Sequence, residues 1–330
     1  MRFGLHGSAR NRSEPVERSV RAEALGFDAI FFADSHMNNL DPFQSMTLCA
    51  LATKNIRLGT AVTNMVFRDP TILANSAASL NEIADGRAIL GLGTGDGPVY
   101  SLGRTKTRLA DFEAGLRTIR DLLHGREIAV PEGKERRSGK VRLRIGKLPL
   151  PIYISAEGPK TLRLAGKLCD GVILGTGFDL KVLEWARKQI AAGAEEAGRS
   201  LAEIEIMPAG MIAVDPDGDK ARRLVRARLA NRAHHNFRFT FETVPEAELQ
   251  GVKRFMEAFD ISKPIEERVS PELITDYLVR RFSIAGTPRE CIDRVNELEA
   301  AGIGRIMLTP PGAIYDAVME TWGREVIQRM

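Results

Sequence analysis

The sequence predicts a (β/α)8 barrel, the α/β TIM-barrel fold, in which a closed ring of eight parallel strands is surrounded by helices. Short β-branched or apolar runs alternate with longer segments of 3.6-residue period, which is typical of βα units and a parallel sheet. Eight such strands can be counted, whereas open doubly wound sheets usually stop at about five or six. The 330 residues also suit a barrel folded as one domain.

The first half of the chain contains four of the predicted strands, each followed by a helical segment. The strands are predicted at about 2–6, 27–32, 56–62 and 87–92, and the helices at about 13–25, 42–53, 70–84 and 108–124. Ser13 is a suitable N-cap for the first helix, because its hydroxyl can accept a backbone N–H bond. Gly26 is a suitable C-terminal stop, since helices often end in the left-handed conformation that glycine adopts readily.

The second half resumes the alternation after a polar, basic stretch at about 125–148. Strands are predicted at about 151–155, 171–175, 204–213 and 305–309, with a helix at about 159–168. Between the seventh and eighth strands lies an insertion at about 217–285, which is rich in Arg, Ala and Glu and indicates several helices. We therefore predict one barrel domain over residues 1–330, with a helical insertion at the barrel mouth or at a subunit interface.

The composition is that of an ordinary globular enzyme, with 44% hydrophobic and 27% charged residues. No apolar run reaches the roughly 18–20 residues needed to span a bilayer, so we expect no membrane segment and a cytoplasmic location. The three cysteines, Cys49, Cys169 and Cys291, lie far apart in the chain. They predict neither a disulfide framework nor a metal-binding knuckle.

Charge and histidine spacing argue against two further classes of function. The net charge of +4 is small, and the clearest basic run, at 134–142, has no interleaved aromatic residues. A solvated loop is therefore favoured over a nucleic-acid site. His234 and His235 are adjacent, and adjacent residues of a helix do not face one site. The chain has no His-x-His or His-Glu-x-x-His spacing either, so no metal site is predicted.

The strand ends carry the candidate site residues, because the active site of such barrels lies at the carboxyl ends of the strands. Two stretches, 57–64 and 85–96, are short apolar runs that break into small and hydroxylated residues. Gly91, Gly93 and Gly95 would let a large flat ligand lie close to the backbone. The candidates at the ends of strands one to four are His6, Asp34, Ser35, His36, Thr63, Asn64, Thr94 and Asp96.

Two glycine-rich turns after strands five and six favour phosphate binding. They are Gly158-Pro159-Lys160, where Pro159 stands near a helix start, and Gly175-Thr176-Gly177. Backbone N–H groups and the positive end of a helix bind phosphate well. For several of these residues a purely structural role stays open beside the functional one. The glycines of the two turns can simply end strands or helices, Asp96 can cap a turn, and His36 can be a hydrogen-bonded structural residue.

Five segments together resemble the bacterial luciferase-like superfamily, and in particular its methylenetetrahydromethanopterin reductase group. The segments are Asp34-Ser35-His36, Leu58–Asn64, Leu80–Arg87, Gly91–Asp96 and Gly286-Thr287-Pro288. The resemblance covers nearly the whole chain, from Phe3 to the strand near Ile306, and the combination of motifs is specific. It implies a barrel fold and the deazaflavin coenzyme F420 as the first choice of cofactor.

The resemblance also implies roles for individual residues. In the family a non-prolyl cis peptide in strand three forms a bulge that supports the back of the tricyclic ring, and it corresponds here to Ala61-Val62. The site histidine and acid of the family correspond to His36 and Asp96, the predicted catalytic residues. The predicted cofactor-binding residues are Asp34, Ala61, Val62, Thr63, Asn64, Thr94, Gly95, Gly158, Pro159, Lys160, Gly175, Thr176 and Gly177.

One departure from the family pattern keeps a second cofactor open. Many F420 enzymes have Asp-His after strand two, whereas here Ser35 stands between Asp34 and His36. FMN is therefore kept as the alternative cofactor, since the family contains both cofactor types on the same barrel.

The function implied by the resemblance is F420-dependent hydride transfer to or from a small organic substrate. The alternative is an FMN-dependent two-component monooxygenase, and a separate flavin or F420 reductase is a candidate partner. From the residues alone, two other classes stay open. One is a phosphate-binding barrel isomerase or aldolase, although no lysine stands at a strand end, and the other is a non-catalytic cofactor-binding protein.

The resemblance further implies a homodimer or a higher homo-oligomer. The substrate is expected to contact the 97–107 loop and the insertion at 217–285, where no motif indicates a particular chemistry.

Overall fold

The computed structural model describes residues 1–130, 139–264 and 267–330, and it contains a closed barrel of eight parallel strands. In chain order the strands are β1 (Arg2–Gly7), β2 (Ala29–Phe32), β3 (Arg57–Thr60), β4 (Thr63–Asn64), β5 (Ala88–Gly93), β6 (Ile128–Val130), β7 (Gly139–Val141), β8 (Ile152–Ala156), β9 (Gly171–Leu174), β10 (Glu205–Val214), β11 (Ser283–Gly286) and β12 (Arg305–Thr309). Around the barrel the order is β1, β2, β3, β5, β8, β9, β10 and β12, and β12 pairs with β1 to close the ring. The predicted (β/α)8 barrel is confirmed, and all eight predicted strands are barrel strands.

Helices surround the barrel, and several of them begin at a side-chain cap. In chain order they are α1 (Ser13–Ala24), α2 (Pro42–Ala52), α3 (Pro70–Ile83), α4 (Gly97–Tyr100), α5 (Leu109–Leu123), α6 (Pro159–Leu168), α7 (Leu180–Glu196), α8 (Gly218–Thr240), α9 (Leu249–Ala258), α10 (Asp276–Phe282), α11 (Pro288–Ala300) and α12 (Tyr315–Glu325). Asp41 caps α2 by accepting hydrogen bonds from the N–H groups of Phe43 and Gln44. Thr287 and Glu290 form a reciprocal capping box at the start of α11.

The two ends of α1 differ in how well the sequence predicts them. Ser13 is the first residue of α1 and its side chain makes no capping bond, so the predicted N-cap is wrong. The side-chain oxygen of Asn11 instead accepts the N–H groups of Ser13 and Glu14, at 3.1 and 3.0 Å. These are among the free N–H groups that a cap would satisfy. At the other end, Gly26 has a φ of +91°, which confirms it as the C-terminal stop.

Short strands outside the ring are absent from the sequence prediction. β4 follows β3 after Ala61-Val62 and pairs with β5, whereas β6 and β7 form a small antiparallel pair. β11 lies in the predicted helical insertion and pairs in parallel with the second half of β10, Met211–Val214 against Ser283–Gly286. The segment between β10 and β12 thus contains α8, α9 and α10, followed by an additional strand and α11.

Alternate residues of the strands fill the barrel interior and the layer beneath the helices. In β2, Ala29 and Phe31 belong to the interior cluster, whereas Ile30 and Phe32 pack with the helices. Gly59 leaves room for Phe31, because a Cβ at Gly59 would lie 2.6 Å from the Phe31 ring. This packing fills the middle of the barrel and leaves open space at its carboxyl end.

A buried ion cluster fills the amino end of the barrel. Arg305 of β12 is 1% exposed, and its guanidinium donates to Glu205 at 2.7 Å and to Asp28 at 2.5 Å. Tyr153 donates its hydroxyl hydrogen to the same Glu205 carboxylate. Two carboxylates thus compensate the charge of the buried arginine, which is the usual condition for a charge inside a protein.

Three further features bear on the sequence predictions. The three cysteines are buried free thiols. Among the helices of the described residues, none combines the length and apolar character needed to cross a bilayer. Residues 134–138 of the predicted basic loop lie outside the described residues.

Candidate active site at the carboxyl end of the barrel

A cavity of about 690 Å³ lies at the carboxyl end of the barrel. Each barrel strand, or the segment that follows it, contributes to its lining. In the order of the ring, representative contributions are His6, Asp34, Val62, Thr94, Ser155, Gly175, Met211 and Thr309. Its volume is in the range of small-molecule and cofactor sites. The cavity is where the strand-end argument places an active site.

Nine of the fifteen predicted site residues line this cavity and six do not. Those in the lining are Asp34, Ala61, Val62, Asn64, Thr94, Gly95, Asp96, Gly158 and Gly175. Those outside the lining are His36, Thr63, Pro159, Lys160, Thr176 and Gly177. The position of a residue does not by itself test its role, so the assigned roles stay predictions.

The peptide bond between Ala61 and Val62 is cis, as the resemblance implies, and both residues line the cavity. The nearby glycines of β5 make room for this segment. A Cβ at Gly91 would lie 1.9 Å from the carbonyl oxygen of Thr60, and a Cβ at Gly93 would lie 2.7 Å from the Val62 side chain. These two glycines therefore allow close strand packing, in addition to any approach of a ligand.

Asp34 is held in a hydrogen-bonded ion cluster at the edge of the cavity. Its carboxylate accepts the Thr63 hydroxyl at 2.7 Å and the Arg68 Nε–H at 2.7 Å. Arg68 also donates to Asp41 at 2.7 Å. Burial alone would raise the pKa of Asp41, but Arg68 and the amides at the start of α2 lower it overall. Thr63 thus lies outside the cavity lining and contacts Asp34, which is part of it.

His36 and His6 lie in different surroundings. The exposed His36 ring packs edge-on against Phe67, with 4.5 Å between the ring centroids, and stands outside the cavity lining. His6 lines the cavity, where burial lowers its pKa; a hydrogen bond to the Ala61 backbone opposes this effect, and the positive charge of Arg232 adds to it. His6 is therefore neutral near pH 7 and can exchange a proton with a bound ligand.

One face of α8 lines the cavity and supplies three of the four Lys and Arg side chains in its lining. The residues of this face recur three or four positions apart, which is the spacing of one side of a helix. They are Arg228, Leu229, Asn231, Arg232, His235, Arg238 and Phe239. These side chains lie in the predicted insertion, but none of them is among the predicted site residues. The recurrence of Arg and His at this spacing is the signal that could have identified them.

Glu157 is another missed residue, and it joins the barrel to α8. It follows β8 directly and is 8% exposed. Its carboxylate accepts Arg232 Nη1–H at 2.8 Å and the Asn236 side-chain amide at 3.3 Å. Gly175 makes this position possible, since a Cβ there would lie 2.0 Å from Glu157 Oε1. A carboxylate rather than an open backbone turn therefore faces the cavity beside Gly175.

His235 lies between two acidic side chains. Its Nε2 is 3.5 Å from Glu157 Oε2, and its Nδ1 is 4.0 Å from Asp96 Oδ2. Arg238 Nη2 contacts the same Nδ1, and an arginine can only donate, so Nδ1 accepts and the ring proton stands on Nε2 toward Glu157. The adjacent His234 instead stacks on Phe259, with 4.0 Å between the ring centroids, so the two histidines face different sites as predicted.

The two predicted phosphate turns are arranged differently in the structure. Pro159 is the first residue of α6, as predicted, and Pro159 and Lys160 are exposed. Thr176 and Gly177 are buried. Gly177 packs closely against α10, since a Cβ at Gly177 would lie 2.1 Å from the Arg281 carbonyl oxygen. Of these turns, Gly158 and Gly175 alone reach the cavity lining.

Comparison with known proteins shows which family and which relatives this chain is similar to. The chain matches the luciferase-like monooxygenase family over residues 2–305. It is 34% identical to the 5,10-methylenetetrahydromethanopterin reductase of Methanolobus tindarius, over 96% of this chain and 97% of the relative. It is 27% identical to the F420-dependent glucose-6-phosphate dehydrogenase of Gordonia bronchialis, over 100% of this chain and 97% of the relative.

A solved structure supports the same grouping. The coenzyme F420 dependent tetrahydromethanopterin reductase from Methanopyrus kandleri matches with a TM-score of 0.80 and 27% sequence identity. The match covers 99% of both chains, so it includes the barrel, the cavity and the insertion.

Proposed function

The chain belongs to the luciferase-like monooxygenase family, and we propose that it is an F420-dependent oxidoreductase that transfers a hydride to or from a small organic substrate. The observation that carries the proposal is the similarity along the whole chain to F420-dependent relatives. The cavity described above supplies a site for such a cofactor at the position that barrels use for chemistry.

The residues around the cavity fit F420. The cavity combines apolar side chains, suited to a flat ring, with positively charged side chains, suited to the phosphate and carboxylate groups of this cofactor. The apolar residues are Ala61, Val62 and Ile173, and the charged ones are Lys106, Arg232 and Arg238. We propose that these residues hold the cofactor and substrate between them.

Bound F420 supplies two-electron chemistry, since its deazaflavin ring exchanges a hydride with the substrate. The protein must then bind both molecules, exclude water and move the accompanying proton. The face of α8 lines the cavity beside the strand ends. Asn64, Thr94 and Ser155 line the cavity and provide polar groups that can orient a ligand.

Three side chains are our candidates for transferring the proton that accompanies the hydride. Asp96 lines the cavity with 66% of its side chain exposed, so it can exchange protons with water. His6 lies deeper and is neutral near pH 7. His36 keeps the role that the family resemblance implies, although its ring must move from Phe67 to reach the cavity. The pH dependence of turnover in the Asp96→Asn, His6→Asn and His36→Asn variants distinguishes the three.

Titration of the purified protein with F420 and with FMN, each oxidised and reduced, tests the cofactor. We expect saturable fluorescence changes with F420 and much weaker binding of FMN. Preference for reduced FMN, with oxygen uptake, would instead indicate the two-component monooxygenase. Binding of neither would overturn the proposal. Activity is then assayed by following the reduction or oxidation of F420 spectroscopically. Methylenetetrahydromethanopterin and glucose 6-phosphate are the first substrates to test.

A homodimer is part of the proposed function, and we place its interface on α2 and α3. α2 has no charged residue, and both helices expose large apolar side chains to solvent. These are Leu48, Leu51, Ile72 and Ile83, of which Leu51 is 74% exposed. A helix that is apolar on its outer side is usually covered. Sedimentation should give a dimer, and Leu51→Glu with Ile72→Glu should give a folded monomer; a monomeric unmodified protein would contradict this assignment.

A further inference from the structure

The arginines of α8 fall into two sets according to the side of the helix. On the outer side, Arg222 pairs with Asp219 at 2.9 Å, Arg223 pairs with Asp217 at 3.5 Å, and Arg226 pairs with Asp276. On the cavity side, Arg232 pairs with Glu157, whereas Arg228 and Arg238 make no ion pair with any described residue. The unpaired arginines of this helix thus face the cavity.

Arg228 lies on a part of the cavity wall that has no predicted cofactor contact. Its guanidinium is next to Gly312, where an added Cβ would lie 3.7 Å from Nη1. Gly312 follows β12, and β12 lies between β10 and β1 in the ring. The predicted cofactor contacts follow β2, β3, β5, β8 and β9, on the other arc of the barrel.

The arc of the cavity formed by β10, β12 and α8 carries apolar side chains and a hydroxyl group. Met211 of β10, Met307 of β12 and Leu229 of α8 line it, and Thr309 at the end of β12 supplies the hydroxyl. Methionine side chains adapt their shape to a flat or irregular ligand. A ligand on this arc would therefore place an apolar body against the two methionines and a charged end near Arg228.

We propose that Arg228 binds the anionic end, a phosphate or a carboxylate, of the substrate. The inference rests on the proposed function, because it assigns the opposite arc of the cavity to the cofactor. An arginine provides paired N–H donors that match both groups. Arg238, which makes no ion pair with a described residue either, lies on the same face of α8, so its positive charge adds to the attraction of an anion at Arg228. The substrate class is an organic anion with an apolar body.

Calorimetric titration of inorganic phosphate into the F420-saturated protein at low ionic strength tests the assignment, with glutarate as the carboxylate probe. Arg228→Gln should weaken binding of the preferred anion by about tenfold or more, since charge-assisted bonds are lost. Arg223→Gln is the matched control, because it removes the same charge from the outer side of α8. It should bind the anion as the unmodified protein does. Both variants should keep the F420 affinity and the melting temperature.

Several outcomes would overturn the inference. The first is that the unmodified protein binds no anion. The second is that Arg228→Gln binds the anion as tightly as the unmodified protein does. The third is that the anion no longer binds when F420 saturates the cavity. The last outcome would assign Arg228 to the cofactor. If F420 does not bind at all, the proposed function fails. The anion titration of the cofactor-free protein then still decides whether Arg228 binds an anion.

Discussion

The two ends of the barrel use arginine in opposite ways. At the amino end, the buried Arg305 is compensated by the carboxylates of Asp28 and Glu205. At the carboxyl end, Arg228 and Arg238 face the cavity without an acidic partner among the described residues. A compensated charge inside the fold favours a structural role. Uncompensated charges that converge on a cavity favour binding of an anion.

The pKa values of buried side chains are shifted at both ends of the barrel, with different consequences for their proton-transfer chemistry. At the amino end, burial and the charge of Glu205 raise the pKa of Tyr153, so its hydroxyl keeps its proton and donates to Glu205. Burial lowers the pKa of Arg57 there, and the charge of Arg305 adds to this effect. At the carboxyl end, burial lowers the pKa of His6, which leaves a neutral group that can accept a proton.

The largest expected effect comes from breaking the amino-end cluster. Arg305→Gln removes the buried cation shared by Asp28 and Glu205 and leaves Glu205 paired with Arg2, and we expect the free energy of unfolding to fall by about 3 kcal/mol. Urea unfolding measures this loss. The F420 affinity of the folded variant should be unchanged, because the cavity lies at the other end. A loss below about 1 kcal/mol would contradict a structural role for the cluster.

Breaking the corresponding pair at the carboxyl end should cost less. Glu157→Gln removes the partner of Arg232, but Arg232 is 49% exposed and water can solvate it. We expect the free energy of unfolding to fall by roughly 1.5 kcal/mol. F420 should bind about threefold more tightly, because a negative charge near its anionic groups is removed.

Urea unfolding and fluorescence titration check the two effects of Glu157→Gln. Glu113→Gln, which breaks the exposed pair with Arg117 on α5, is the control and should change neither quantity. Weaker F420 binding by Glu157→Gln would show that the carboxylate supports the cofactor site instead.

The smallest effect is the pH dependence contributed by His6. Its pKa in the folded protein is below the ordinary value of 6.5, so the unfolded chain binds more protons as the pH falls below 6.5. The stabilisation is complete above pH 6.5 and is lost as the pH falls toward the folded pKa. Between pH 6.5 and 5.5, the free energy of unfolding should fall by up to about 1 kcal/mol more in the unmodified protein than in His6→Asn.

Urea unfolding at the two pH values measures this difference. His36→Asn is the control, because it makes the same substitution at an exposed position. Identical pH dependence in His6→Asn and the unmodified protein would contradict the burial effect on His6.

The fold was predictable from the sequence to a larger extent than the site. The eight barrel strands follow from local apolar runs, and Gly26 follows from the conformation that ends a helix. The cap of α1 was mispredicted, because Asn11 and Ser13 are both suitable acceptors and only the course of the chain selects one. At the site, the sequence predicts the strand ends as cavity residues but does not predict the basic face of α8. The residues of that face are far from the strand ends in the chain, so no local pattern connects them.

The sequence by itself determined the alternation of strands and helices, because hydrophobic period and helix boundaries depend on neighbours within a few residues. Only the tertiary structure decided which distant groups meet. Glu157 and Arg232 are 75 positions apart, and they meet because Gly175 leaves space for the carboxylate. Gly93 likewise makes room for Val62. These contacts depend on how separate segments fill one volume, which no local pattern contains.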